Sequence, residues 1–388
     1  MRVLVTSTSG YGHVLPMLTL AGALQERGHE VLWATGANAC QLVQAAGIEA
    51  VEAGLTDAEA APLRAAARQS AVGIPPQDIP TVVFPLLFGA ARAAPMLAAL
   101  LPVAREWCPD LLVHEHGELA APLVASVLGL PHAVHAFGGG IPAPILADGS
   151  RSVADLWSQH GLSVPPFAGC FEHLYLDICP PSLQTVPLDH VPVVQAARPV
   201  TYDGERVPDL DTLLPEDDGR PLVYVTLGTV NNQVPVLRSV AEAVWSSDVR
   251  LLVTVGRGVD PAALGPVPRG VRVQTWVPQA AVLPRCSAVV SHGGSGTLLA
   301  TAALGLPQVA LPQAADQFRN AQGLVRARAG LALHPDVASP TVVARAVRDV
   351  LDRAELHEGA SRVRDEIAAM PGPDEVVTRL EQLTPGTA

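Results

Sequence analysis

What most limits how this chain can fold is a rhythm that occurs twice. Short, almost wholly apolar runs alternate with helical stretches in the first half of the sequence and again in the second. In the first half the expected strands are Arg2–Thr6, 30–34, 111–114 and 132–136, with helices at 16–26 and 120–128. In the second half the expected strands are Leu222–Thr226, 251–255, Val271–Gln274, Ala288–Ser291 and 308–311. Strands without polar alternation are buried on both faces, and strands separated by helices pair in parallel. At 388 residues the chain is too long for one ordinary core. Two doubly wound, Rossmann-like α/β domains are therefore expected. Such sheets bind ligands beyond the carboxyl ends of their strands, so the two binding edges are expected to face each other across a cleft.

The break between the domains falls at residues 201–220, a stretch rich in Asp, Glu and Pro that reads as a solvated linker. An N-terminal domain over 1–200, a C-terminal domain over 221–370 and a last helical segment over 371–388, able to pack back on the first domain, complete the expected organisation. Residues 147–181 receive no regular structure. The apolar stretch 81–101 is interrupted by Pro85, Arg92 and Pro95, so a buried or cleft-lining helix pair is expected rather than a membrane span.

Composition narrows the partners. The net charge of −12 argues against nucleic acid, whose binders carry basic surfaces. The five cysteines are odd in number and form no C-x-x-C, so neither a disulfide framework nor a zinc site is indicated. Met1-Arg2 runs straight into Val3-Leu4-Val5, which reads as a strand rather than a leader. A cytoplasmic protein is expected, and the sequence allows a homodimer without requiring one.

The densest chemical signal is His292-Gly293-Gly294-Ser295-Gly296-Thr297. It follows one apolar strand and opens a helical run, a strand–glycine turn–helix arrangement. Such a turn presents backbone N–H groups and the positive end of a helix dipole to a phosphate. His292 adds a donor. Trp276, at another strand end, offers a flat face for a base, with Val277 beside it. Asp316 and Gln317 offer an acceptor and an amide for hydroxyls. Gly228 and Thr229, after the strand Leu222–Thr226, can supply a further N–H and a hydroxyl. These residues together describe a pocket for a nucleotide diphosphate carrying a sugar.

In the first half, Gly10-Tyr11-Gly12-His13-Val14-Leu15 nearly matches a dinucleotide fingerprint, but Leu15 replaces the third glycine, and no acidic residue clearly closes a second strand. His13, placed on a glycine loop beyond a strand, is a candidate general base. Glu115, directly after the strand 111–114, is the candidate carboxylate that orients it. His114 and His116 flank Glu115, but adjacent strand residues point to opposite faces, so no metal is expected there. Asp209-Leu210-Asp211 matches a metal-holding D-x-D pattern, yet it lies in the acidic linker and reads as solvated charge. No metal and no resident cofactor are expected.

This constellation resembles the inverting glycosyltransferases of the GT-B fold, family 1, and more narrowly the bacterial enzymes that glycosylate natural products. The resemblance runs from Gly10 to Asn320, and its C-terminal motif, Trp276 through Gln317, is the more specific part. It implies that His13 is the catalytic base and that Glu115 stands where the family usually has aspartate. It implies that Trp276 stacks on the base and that the backbone of Val277 bonds it. His292, Gly294, Ser295, Gly296 and Thr297, helped by Gly228 and Thr229, would bind the diphosphate. Asp316 and Gln317 would hold the sugar hydroxyls. Ala300 stands where many relatives carry a glutamate on the ribose hydroxyls. A deoxyribose has one hydroxyl fewer to satisfy, which favours dTDP-sugars over UDP-sugars.

The expected reaction is metal-independent, inverting transfer from a nucleotide sugar to a small hydrophobic natural-product acceptor held near 79–99 and 137–145. An NDP-sugar epimerase on the same fold is the rival enzyme class, and it would act on donor alone. A non-catalytic partner protein retaining the fold is a third reading, opposed by His13 and the complete donor motif. A dehydrogenase is set aside by Leu15.

Overall fold

The computed structural model describes residues 1–202, 204, 209–228, 234–256 and 258–384. The chain forms two compact units. One comprises Met1–Cys179, Val186–Tyr202 and Met370–Ala388, the other Pro180–Thr185 and Asp203–Ala369.

The first unit is built on a seven-stranded sheet in the order β3-β2-β1-β4-β5-β6-β7. Its strands are β1 (Arg2–Thr6), β2 (Glu30–Thr35), β3 (Glu49–Glu52), β4 (Leu111–Glu115), β5 (His132–His135), β6 (Leu174–Asp177) and β7 (Val194–Ala196), all parallel to their neighbours. The order reverses between β1 and β4. At such a point the two connections leave on opposite faces and open a crevice beyond the strand ends. Every residue of β4 is buried, as an apolar central strand covered on both sides requires.

The second unit repeats the plan with six parallel strands in the order β10-β9-β8-β11-β12-β13. They are β8 (Leu222–Thr226), β9 (Arg250–Thr254), β10 (Val271–Gln274), β11 (Ala288–Ser291), β12 (Gln308–Ala310) and β13 (Gly330–Ala332). Alternate residues of one strand enter two different cores. Val223 and Val225 face the helices Val234–Trp245 and Pro340–Asp352, whereas Leu222 and Tyr224 pack with Val277, Val282 and Ala300. The order reverses between β8 and β11, the counterpart of β1 and β4.

Several sequence expectations change. The first helix is Tyr11–Glu26 and does not begin at Pro16. A proline often marks the first helical position, but here the backbone N–H groups of His13 and Val14 already bond the carbonyl of Gly10, and Pro16 sits inside the helix. Residues 147–181 contain ordered elements: the end of the helix Ala143–Ser152, the helix Ala154–Gln159, and the fully buried β6. The edge strands β3, β7 and β13 are not among the expected strands because they are short and largely unburied, and so carry no apolar run. The apolar stretch 81–101 does form a helix pair as expected: the helix Ile79–Phe84, continued by a π-helical turn over Pro85–Ala91, meets the helix Ala93–Trp107 at a 41° bend. Among the described residues no single helix is long and apolar enough to cross a membrane.

The last helix, Pro373–Glu381, packs on the first unit. The Glu381 carboxylate accepts from Arg27 at 3.0 Å and lies 2.9 Å from Nε2 of His29. Of the expected linker, Asp203, Glu205 and Pro208 lie outside the described residues. Further along it, Leu210–Thr212 forms a short 3-10 turn capped by the carboxylate of Asp209.

Candidate functional site

Two residues meet at the β1/β4 reversal of the first unit. His13 lies in the first turn of the helix after β1, not on a loop as the sequence suggested, and Glu115 is the last residue of β4 rather than the one after it. Their placement brings Nδ1 of His13 to 3.1 Å from Oε1 of Glu115. The contact is close but not aligned as a full hydrogen bond, since Nδ1 has no partner with hydrogen-bond geometry. Glu115 has no exposed surface. Its Oε1 accepts from the backbone N–H of Thr8 at 3.2 Å and from the Thr8 hydroxyl at 2.9 Å, and its Oε2 accepts from the backbone N–H of Gly117. Burial alone would push the carboxyl up. His13 and these donors outweigh burial and hold it at about 2.

The His13 ring is walled by aromatics. Phe137 is 4.6 Å away and Phe88, carried by the π-helical turn, is 5.4 Å away, centroid to centroid. A shallow hollow opens beside Phe88, lined among others by Thr8, Arg92, Met96 and Glu118. Glu118 is buried at the start of the helix Ala121–Leu128 and accepts from Thr6, Ala120 and Ala121. Burial dominates there, and with the repulsion of Glu115 it raises the carboxyl to about 7 despite the two backbone donors. The histidines beside Glu115 go elsewhere. Nε2 of His114 is 3.1 Å from Nδ1 of His132, and His116 lies among Phe137, Phe171 and Tyr175. Burial pulls His114 down to about 3 and His116 to about 4, so both are neutral.

In the second unit the β8/β11 reversal gathers Gly228 and His292. Gly228 has φ +85°, and a Cβ there would come within 2.8 Å of the His292 ring. A Cβ on Gly294 would overlap the same ring. Glycine at both positions leaves the room that the imidazole occupies. Gly294 caps the helix Ser295–Ala302 without a side-chain bond, so the first-turn N–H groups of Ser295, Gly296 and Thr297 are not consumed by a cap. Burial lowers the affinity of His292 for a proton, partly countered by Asp316.

Asp316 occupies the N-cap position of the helix Gln317–Arg326 but makes no cap bond. Its Oδ2 accepts instead from Ser295 at 2.6 Å and from Asn320 at 2.8 Å. Asn320 also donates to the carbonyl of Gly293 at 2.9 Å and to Ser295 at 3.0 Å, tying the glycine turn to the second helix. Oε1 of Gln317 accepts from the backbone N–H groups of Gln313 and Ala314 at 2.8 and 3.0 Å. These bonds leave Oδ1 of Asp316 and the amide nitrogen of Gln317 as the groups able to meet a ligand. Trp276 is half-buried two residues beyond β10, while Val277 is core. Thr297 accepts from Gln279 at 3.0 Å. Thr229 lies outside the described residues.

Sequence reasoning missed Thr8, Gly117 and Phe88 around His13, and Asn320 and Gln279 around the glycine turn. Thr8 lay within the loop already singled out and Asn320 at the end of the recognised motif. Nothing local marks Gly117, whose role is a backbone N–H.

Two parallel α/β units, each with its polar residues at a reversal of strand order, are the architecture of the GT-B glycosyltransferase fold. The structure of SnogD, a glycosyltransferase from Streptomyces nogalater, superposes with a TM-score of 0.79 at 32% identity, covering 99% of each chain. The chain belongs to the family described as erythromycin biosynthesis protein CIII-like, whose N-terminal domain matches residues 22–228 and whose C-terminal domain matches 238–383. It is thus a bacterial glycosyltransferase of natural-product type. It is 33% identical over 379 residues to the L-demethylnoviosyl transferase of Streptomyces niveus, covering 96% of each chain. The SsfS6 glycosyltransferase of Streptomyces sp. SF2575, solved with thymidine diphosphate, is 27% identical with a TM-score of 0.79, covering 98% of this chain and 99% of that one.

Proposed function

We propose that the protein transfers a sugar from a nucleotide sugar, dTDP-linked in preference to UDP-linked, to a small hydrophobic acceptor, with inversion and without a metal or resident cofactor. The observation that carries this reading is the His13–Glu115 pair set among Phe88 and Phe137. With Nδ1 turned to Glu115, Nε2 is the nitrogen left for an acceptor hydroxyl. Glu115 stays ionised at any working pH and stabilises the imidazolium that forms as the proton is taken, the role a buried carboxylate plays beside a base histidine. The aromatic walls suit an apolar acceptor and keep water from competing.

At the donor, the uncapped start of the helix Ser295–Ala302 and the ring of His292 would meet the charge that develops on the leaving diphosphate. Trp276 would stack on the base, and Asp316 and Gln317 would bond sugar hydroxyls. Support for dTDP comes from the thymidine diphosphate bound to the related SsfS6 and from Ala300. It is packed among Tyr224, Val277 and Val282 and has no polar group for a ribose hydroxyl. Four of the five cysteines are buried and all are free, which fits a reducing cytoplasm.

The test is His13→Ala with the dTDP-sugar and a panel of aromatic and polyketide acceptors. Turnover should fall by about 10²–10⁴ with dTDP affinity unchanged, and wild-type turnover should persist in EDTA. Retained turnover in the variant would remove His13 as the base. Sugar isomerisation with donor alone would point to an epimerase.

A further inference from the structure

A second histidine cluster lies away from the residues assigned to the reaction. His132 opens β5 and His173 immediately precedes β6, so both stand at the amino ends of strands whose carboxyl ends lie on the His13 side of the sheet. Their rings are 4.9 Å apart at a steep 75° angle. Glu172 completes the group, with Oε2 3.8 Å from Nε2 of His132. One ligand atom from each of the three residues lies within 4.8 Å of the others.

The hydrogen bonds behind His132 settle which of its nitrogens carries hydrogen. Nδ1 of His114 faces the carbonyl oxygen of Glu115 at 3.2 Å, and a carbonyl only accepts, so Nδ1 of His114 donates. In a neutral ring Nε2 of His114 is then an acceptor, and at 3.1 Å it takes the hydrogen of His132 Nδ1. In the neutral tautomer that these bonds define, Nε2 of His132 carries a lone pair and no hydrogen. That atom is buried without a hydrogen-bond partner, as is Nδ1 of His173, and it points at a carboxylate. An imidazole lone pair and a carboxylate turned toward each other offer two donor atoms to one cation.

We propose that His132, Glu172 and His173 bind a divalent transition-metal ion, zinc being the ion that best matches two imidazoles and one carboxylate with an open fourth position. Imidazole nitrogens and a carboxylate oxygen at about 2.0–2.2 Å are ordinary zinc ligands. Closing from the present spacing requires Glu172 and His173 to move inward, and both reach solvent, whereas His132 is held by the His114 relay as a metal-bound histidine is usually held by a partner on its other nitrogen. A bound ion would pin the start of β6 to β5 and order the irregular segment before it, where Phe167 and Ala168 both take positive φ. The role is structural: neither the base pair nor the donor turn supplies a ligand, so chelation would lower the melting temperature without removing turnover.

The experiment uses the untagged, chelator-stripped full chain. Calorimetry with Zn²⁺ should find one ion per chain with a dissociation constant below about 10 μM, a rise in melting temperature, and visible absorption on replacing Zn²⁺ by Co²⁺. Glu172→Gln and His173→Asn, both at the solvent side, should each weaken binding at least about ten-fold while their metal-free melting temperatures stay at the wild-type value. Absence of zinc uptake, or equal uptake by wild type and both variants, would overturn the site.

Discussion

Nδ1 of His13 stands 3.1 Å from Oε1 of Glu115, and the carboxylate that holds it has no exposed surface. Each oxygen of Glu115 is already engaged, one by Thr8 and the other by Gly117, so its position is determined from three sides. The extra methylene relative to an aspartate is what lets a residue at the very end of β4 reach both Thr8 and His13.

Glu115→Asp should therefore be damaging despite the retained charge, because a shorter side chain cannot keep both the Thr8 and the His13 contacts. Glu115→Gln keeps the reach and loses the charge. Both should lower kcat by about 10²–10⁴ with little change in the KM for donor. Near-wild-type kcat in Glu115→Gln would mean that the carboxylate only braces the loop.

Stability should respond to pH through two carboxyls of opposite sign. Glu115 is held at about 2, below its ordinary 4.5, so its contribution is present above 4.5 and is lost as pH falls from 4.5 towards 2. Glu118 is raised from 4.5 to about 7, so the folded state favours its protonated form and loses stability as pH rises from 4.5 through 7. Glu118→Gln mimics that protonated form. It should melt close to the wild type at pH 5 and roughly 2–5 °C above it at pH 8. Equal melting curves at both values would show that Glu118 is ionised and well solvated in the fold.

The ring of His292 lies close against Gly228 and Gly294, and a methyl group on Gly294 would occupy part of its place. Gly294→Ala has an ordinary φ of −65°, so the backbone tolerates alanine, and the effect should fall on the ring. Affinity for dTDP should drop about ten-fold or more, near the 1.4 kcal/mol that such a factor represents, while the melting temperature of the free protein changes little. A large fall in melting temperature with affinity unchanged would place the histidine in packing alone.

Nucleotide choice is measured directly by titration. Trp276→Ala should weaken dTDP binding by roughly 1–3 kcal/mol, the scale of one lost base–aromatic stack. The wild type should bind dTDP more tightly than UDP, because Ala300 leaves ribose hydroxyls without a carboxylate acceptor, and a hydrogen bond to a charged group is worth about 1.5–3 kcal/mol. Equal affinities would mean that other groups read the ribose. Ala300→Glu is a poor probe here, since the new carboxylate would enter the apolar cluster with Val277 and Val282.

The parallel β/α plan of each unit was legible in the chain because strands covered on both faces are mostly apolar, as the starts of β4 and β8 are, with polar residues only at their carboxyl ends. The donor turn was legible for a related reason. Glycine at 294 makes room for the His292 ring and leaves the helix start without a side-chain cap, so this part of the pattern is written in consecutive residues. What sequence could not decide is whatever depends on two distant segments meeting. The pairing order places β1 beside β4 and so brings His13 to Glu115 across about a hundred residues. The π-helical turn that carries Phe88 to His13 leaves no local signature distinct from an apolar helix. The same holds at the amino edge, where neighbouring β5 and β6 set His132 against His173 and the carbonyl of Glu115 fixes the hydrogens of a ring on the adjacent strand. Composition and spacing prescribe local geometry, because that geometry is set by neighbours in the chain. The chemistry of a buried histidine is set by neighbours in space, which only the folded sheet supplies.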